Sequence, residues 1–285
     1  MRTEVDGLKP FLDEVYRQFN TRESLVHDPL SFVHRYTTPD DIEAVAMIAA
    51  SFAFGRVAAF MPVIERLLGR MEGHPGAFLR EAGDDECRMV ANGIVYRFAT
   101  ADNIAALLVG IGGAMTRHGS LKPLFVEGWE RGGTVAGLHT LAAGIRRFAA
   151  ESRDVATDPG CLVPLGDNNS PMKRLCMFLR WMVRDDGLDT GLWSDIPRSE
   201  LLIPMDVHVF RISRLIGLLP PGRRTGPTMK DARMVTARLA EFDPLDPVRY
   251  DFAISHLGIS GRCDGSAGPG CSSCPLATVC SCHKQ

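Results

Sequence analysis

The sequence predicts an all-α protein, and three observations carry that prediction. Apolar residues recur at helical spacing in one segment after another, each bounded by capping or breaking residues. Nowhere do Val, Ile and Thr alternate with polar residues for more than a few positions, so strands leave no signal. The last twenty-three residues, 263–285, hold five of the eight cysteines among glycines and prolines, and read as an irregular loop. With 285 residues, 45% hydrophobic and 23% charged, the chain suits one large or two small globular domains.

Lys9 to Arg22 reads as a first amphipathic helix, with Phe11, Leu12, Val15 and Phe19 on one side. Asp28-Pro29 and Thr38-Pro39 punctuate the approach to a second, whose Asp40-Asp41-Ile42-Glu43 start supplies a cap and an acidic first turn. The run AVAMIAASFAFG is apolar all round, which predicts a buried helix, and Gly55 either ends it or lets another backbone approach closely. Further helices are expected from Pro62 to Arg70, from Thr100 to His118, and from Val135 to Arg153 with interruptions at Gly137 and Gly144. Residues 154–171 contain two glycines and three prolines and break the pattern. Met172 to Arg184 then forms a helix with Lys173, Arg180 and Arg184 on its polar side, and Asp206 caps another through Leu219. Cys87, Cys161 and Cys176 stand alone and read as small core hydrophobes.

A net charge of −2 does not mark the whole chain as a nucleic-acid binder, but charge is unevenly placed. From Asp206 to Arg238 seven basic residues face two acids, a stretch suited either to phosphate contact or to a solvated helix face. No apolar run approaches the roughly 20 residues of a membrane span, so no membrane association is expected. The polar opening MRTEVDGLKPFLDEV lacks a secretory pattern, so a reducing cytoplasm is the expected compartment.

Cys263, Cys271, Cys274 and Cys280 are spaced C-x7-C-x2-C-x5-C, and Cys282 follows two residues later. A tail this irregular buries too little apolar surface to order itself, so a cross-link through sulfur is expected. An iron–sulfur cubane suits four thiolates strung along one loop. Zinc is the alternative, although structural zinc sites usually bring two close-spaced pairs. Disulfides fit a reducing compartment poorly. The spacing resembles the carboxy-terminal 4Fe–4S loop (C-x6-C-x2-C-x5-C) of endonuclease III and the adenine glycosylases, with one extra residue in the first gap. That resemblance implies Cys263, Cys271, Cys274 and Cys280 as ligands, with Cys282 as an alternative fourth.

A second segment points the same way. Met205-Asp206-Val207-His208-Val209-Phe210-Arg211 resembles the V-D-x-H-V-x-R segment of the helix-hairpin-helix DNA glycosylase superfamily. There the equivalent aspartate is catalytic, which implies that role for Asp206, with His208 and Arg211 beside it at the DNA. Lyase members of that family carry a lysine at the start of the hairpin's second helix, after L-P-G-V-G-x-K. Lys173 occupies the counterpart position, although the G-V-G hairpin is replaced by Gly-Asp-Asn-Asn-Ser-Pro and 33 positions separate Lys173 from Asp206. The loop of Gly166, Asn168, Asn169 and Ser170 is expected to present backbone N–H groups to phosphate, with Arg180 as a further contact. Phrases such as DPLSFVHRY, YRF, KRLCMFLRWMVR, GLW and DPVRYDFAISHLG resemble an uncharacterised bacterial family of distant endonuclease III relatives.

These resemblances imply a two-lobed helix-hairpin-helix fold. One lobe is a helical bundle over 38–200, with the hairpin-like segment near 163–184. The other joins 1–37 to 201–285 and carries the loop at 263–282. They further imply a monomeric, nucleoid-associated DNA N-glycosylase acting on damaged or mismatched duplex, with lyase action through Lys173. The competing expectations are a nucleic-acid-binding iron–sulfur protein that cleaves nothing, and a redox-sensing iron–sulfur protein.

Overall fold

Helices account for the regular structure of this computed structural model, which describes residues 7–152, 158–166 and 169–284. In chain order they are α1 (Lys9–Phe19), α2 (Leu30–Val33), α3 (Pro39–Phe52), α4 (Val57–Gly69), α5 (Pro75–Glu81), α6 (Asp84–Ala91), α7 (Ala101–His118), α8 (Lys122–Glu151), α9 (Lys173–Val183), α10 (Val207–Leu215), α11 (Met229–Ala240) and α12 (Asp251–Ile259). Among the described residues there is no strand, only an isolated bridge between Tyr96 and Ala99. The all-α expectation holds. No helix is long and apolar enough to cross a membrane.

The chain divides into two compact units. One, the bundle unit, comprises His27–Asp167 and Asp189–Trp193; the other, the terminal unit, comprises Met1–Val26, Asn168–Leu188 and Ser194–Gln285. These limits differ from the expected 38–200 and 1–37 plus 201–285. Residues 27–37 fall with the bundle because α2 packs on α3. Helix α9 falls with the terminal unit because its two buried arginines find their acids there. Arg184 bonds Asp246 through Nε and Nη2 (3.0–3.1 Å) and reaches Asp186 at 3.1 Å, and Arg180 pairs with Asp251.

In the bundle unit, the Thr38 hydroxyl caps α3 by accepting from Asp41 N. The helix is buried from Ala44 to Phe52, as its all-apolar run predicts. Helix α7 opens with a Thr100–Asn103 capping box and ends at Gly119 in the left-handed region (φ +80°). It lies among α8, α6 and α5, and its glycines allow that closeness. A Cβ on Gly112 would stand 2.1 Å from the Leu79 carbonyl oxygen, and one on Gly110 would stand 2.4 Å from that of Ile145.

Helix α8 departs from expectation in an instructive way. Its break falls at Gly132 and Gly133, the latter at φ +75°, and the two arms fold back on each other. Gly137 and Gly144 do not interrupt the second arm. They face Phe125 and Leu124 of the first, where a Cβ would come within 2.6 and 2.7 Å of those side chains. Small residues at helical spacing here mark close packing rather than a stop. The unit's core also holds a carboxylate: Glu43 is 1% exposed and accepts from Leu121 N (2.8 Å) and the Trp193 indole (3.0 Å).

In the terminal unit α1 and α10 both pack on α12. Leu12, Val15 and Phe19 of α1 are buried, as their spacing predicts. The Tyr250 hydroxyl, just before α12, donates to Asp13 at 2.6 Å.

Candidate functional site

Asp206 begins the site as a helix cap. Its backbone is extended, and Oδ1 accepts from His208 N (2.9 Å) and Val209 N (2.8 Å), satisfying the orphan donors of α10's first turn. That leaves Oδ2, which stands 3.7 Å from Lys173 Nζ. Lys173 opens α9, so two helix starts 33 residues apart in sequence are brought face to face within one unit. The side chains are 30% and 13% exposed for Lys173 and Asp206. The residue before Lys173, Met172, lies at φ +50°, a conformation strained for a side chain with a Cβ. Its N–H is held by the Ser170 hydroxyl at 3.3 Å.

His208 lies in the first turn of α10 and Arg211 in the second. His208 packs on α12 at Gly258, where a Cβ would come within 2.6 Å of the His208 Cβ and 2.7 Å of its imidazole Nδ1. Burial pushes the His208 pKa below its usual value; Arg211 and Lys173 push in the same direction, against Asp206. The Arg211 guanidinium lies 3.3 Å from His208 Nδ1 and donates to the Cys263 carbonyl at 2.5 Å, so it links the carboxylate's helix to the cysteine loop. Gly265 (φ +95°) lets the loop close over it, since a Cβ there would strike Arg211 Cδ at 2.6 Å.

Cys263, Cys271, Cys274, Cys280 and Cys282 line one small pocket, together with Leu215 and Arg262. Short 3₁₀ turns carry the backbone around it, and buried Leu276 anchors them. Burial raises the pKa of Cys263, Cys274 and Cys282, and neighbouring thiols raise each further; the Arg211 charge opposes this at Cys263. Thiols crowded in this way ionise together only if a cation compensates them. Among the described residues no three of them converge on one point as a single bound ion requires. The Cys282 thiol donates to the Gly265 carbonyl at 3.0 Å.

Other expected contacts fare differently. Arg180 is not on a polar face. It is 4% exposed and paired with Asp251, because the terminal unit wraps the side of α9 that periodicity assigns to solvent. The Asn169 carbonyl accepts from Met229 N (3.0 Å), and Asn169 lies at φ +64°. Gly166 falls in the bundle unit, and Asn168 lies outside the described residues. Part of the basic stretch is used internally: Arg214 donates to the Gly222 and Arg224 carbonyls, and Arg224 makes a two-pronged pair with Asp231 (2.8 and 2.9 Å). Arg223, Lys230 and Arg233 remain exposed.

One residue escapes sequence reasoning. Asp251, the first residue of α12, is 2% exposed, pairs with Arg180 through Oδ2, and has no partner for Oδ1. Burial pushes its pKa up and Arg180 draws it back, and it also feels the charges of Asp206 and Lys173. An acid in a helix's first turn is common enough that nothing in the sequence separates Asp251 from an ordinary cap.

A helix-capping carboxylate beside a helix-opening lysine, tied by an arginine to a pocket of thiols, makes a candidate functional site. The chain belongs to the family described as a protein of unknown function (DUF2400), whose model matches residues 28–260. That match takes in Lys173, Asp206, His208 and Arg211 and stops short of the cysteine loop. No curated protein and no solved structure matches the chain.

Proposed function

We propose that this protein is a DNA N-glycosylase of the helix-hairpin-helix type that removes a damaged or mismatched base, with lyase action through Lys173. The observation that carries the reading is the 3.7 Å approach of Lys173 Nζ to Asp206 Oδ2 at two adjoining helix starts. Cleaving an N-glycosidic bond leaves positive charge on the sugar, and an ionised carboxylate close by stabilises that charge. The base must first leave the stack to be reached. Asp206 is fixed for this task because Oδ1 is already committed to the helix, leaving Oδ2 to act. In the lyase reaction the Lys173 amine loses a proton, for which Asp206 is the nearest acceptor. The amine then attacks the anomeric carbon as the base departs with the bonding pair and the amine's surplus proton. The ring carbon–oxygen bond next breaks, the ring oxygen takes the proton that Asp206 holds, and a protonated Schiff base to the opened sugar remains.

The five thiols support a cubane iron–sulfur cluster as the resident group. They line a common pocket, and four thiolates strung along one loop suit a cubane. Cys263, Cys271, Cys274 and Cys280 would hold it, with Cys282 in place to substitute for Cys280. When bound, the group would cross-link the tail and fix Cys263, to which Arg211 is tied. A nucleoid location follows from this reading.

Incubation of anaerobically purified protein with duplexes carrying a panel of lesions tests the activity. Base release that disappears in Asp206→Asn while duplex binding persists is the expected result. A protein that only binds nucleic acid would release no base from any duplex. Iron and sulfide analysis of the same sample distinguishes the cubane from zinc.

A further inference from the structure

The turn at 96–99 lies outside the Lys173–Asp206 site and has its own peculiarity. Tyr96 and Ala99 exchange both backbone hydrogen bonds (2.9 and 2.8 Å), so Arg97 and Phe98 are the two central residues of a tight turn. Arg97 adopts φ +53°, where glycine or asparagine is the default and an arginine is strained. The turn is pinned from beneath. The Tyr96 ring packs on Phe52 and Phe54 (centroids 6.0 and 4.9 Å), and its hydroxyl donates to the Phe54 carbonyl. What this anchoring holds out is an aromatic ring: Phe98 is 77% exposed.

Burial does not explain Phe98, whose ring has the Arg97 guanidinium over it at 5.6 Å from the centroid. Among the described residues Arg97 pairs with no carboxylate, and Arg56, Arg66 and Arg70 are also exposed. Arg66 and Arg70 donate to the carbonyls of Gly93 and Asn92, which places them beside the segment leading into the turn. No acidic residue occurs from 87 to 101 or from 44 to 64, and Glu65 is held by Arg35 in a two-pronged pair. An exposed ring paired with an arginine, among further cations and with no acid in those segments, is the chemistry that meets an unstacked base and its phosphate.

We infer that the Arg97–Phe98 tip is a stacking platform for an unpaired nucleobase, with the Phe98 ring against the base and the Arg97 guanidinium on the adjoining phosphate. This rests on the nucleic-acid reading above but not on any chemistry at Asp206. The test uses the full chain and a labelled duplex with a single-nucleotide gap opposite 2-aminopurine, beside the same duplex fully paired. The parent protein is expected to prefer the gapped duplex and to quench 2-aminopurine. Phe98→Ala should weaken binding to the gapped duplex by about 5–100-fold and abolish the quench, as loss of one stacked base predicts. Phe98→Trp should preserve both. Arg97→Gly separates the platform from a merely structural turn, because it relieves the backbone strain. A higher melting temperature with weaker binding supports the platform, whereas a higher melting temperature with unchanged binding overturns it. If Phe98→Ala binds and quenches like the parent, the tip is excluded while the nucleic-acid reading stands. A parent that binds neither duplex removes both.

Discussion

At Asp206 two roles meet in one side chain, and they separate by oxygen. Oδ1 caps α10, and Oδ2 faces Lys173. Asp206→Asn keeps a capping oxygen and should leave the melting temperature near that of the parent while abolishing base release. Asp206→Ala should in addition cost about 1 kcal/mol of stability, the usual loss for a cap. Denaturant titration beside a release assay distinguishes the two. For Lys173 the readout is borohydride trapping on abasic DNA. The parent should trap, Lys173→Ala should not, and trapping that persists in the variant would remove this lysine as the nucleophile.

Glu43 makes a prediction with no bearing on chemistry. Burial raises its pKa from the usual 4.5 to about 7, so the folded state binds a proton that the unfolded state has released between those values. Its stabilising contribution is therefore complete below pH 4.5 and lost as pH rises through 7. Glu43→Gln cannot ionise. Whatever its stability at pH 5, it should gain on the parent between pH 5 and 8 by about 3 kcal/mol at most, measured as the difference between their unfolding free energies.

At the scale of elements, the helices with strong sequence signals are found where composition and caps place them. Helix α3 is apolar all round and buried, and α7 has both its cap and its terminating glycine. Legibility fails where one signal has two meanings. Glycine inside a helical run reads as a break, yet in α7 and the second arm of α8 it is where another backbone or ring presses in. Gly112→Ala should therefore destabilise the protein by about 1–3 kcal/mol, as overpacking does, despite alanine's better helix propensity. A shift in thermal midpoint would report it, and an unchanged midpoint would mean that Leu79 yields easily.

The site was partly legible for the same kind of reason. Asp206 and Lys173 stand in recognisable local settings, a cap and a helix start, and motif reading can find those. Arg180 and Asp251 form their pair across 71 positions, and no local pattern tells a buried arginine on α9 from a solvated one. Short helices such as α5 and α6 carry too few apolar turns to announce themselves, and α11 is hidden in a stretch that its basic residues make look like a surface.

The whole molecule is assembled from discontinuous pieces. The bundle unit is built mainly from 27–167, but Trp193 returns to its core, donating to Glu43 and lying near Phe125 (centroids 6.1 Å). A fragment ending at residue 167 should consequently keep its far-ultraviolet helical signal and lose near-ultraviolet structure, because a buried carboxylate oxygen and a large cavity are left where the indole belongs. The terminal unit extends this pattern across the whole chain, since α1 packs on α12.

That last pairing bears on how the protein is made. Helix α1 is synthesised well before α12, the helix that covers its apolar stripe. Until α12 follows, Leu12, Val15 and Phe19 lack the helix that buries them, so the growing chain carries an uncovered apolar stripe that the finished protein does not.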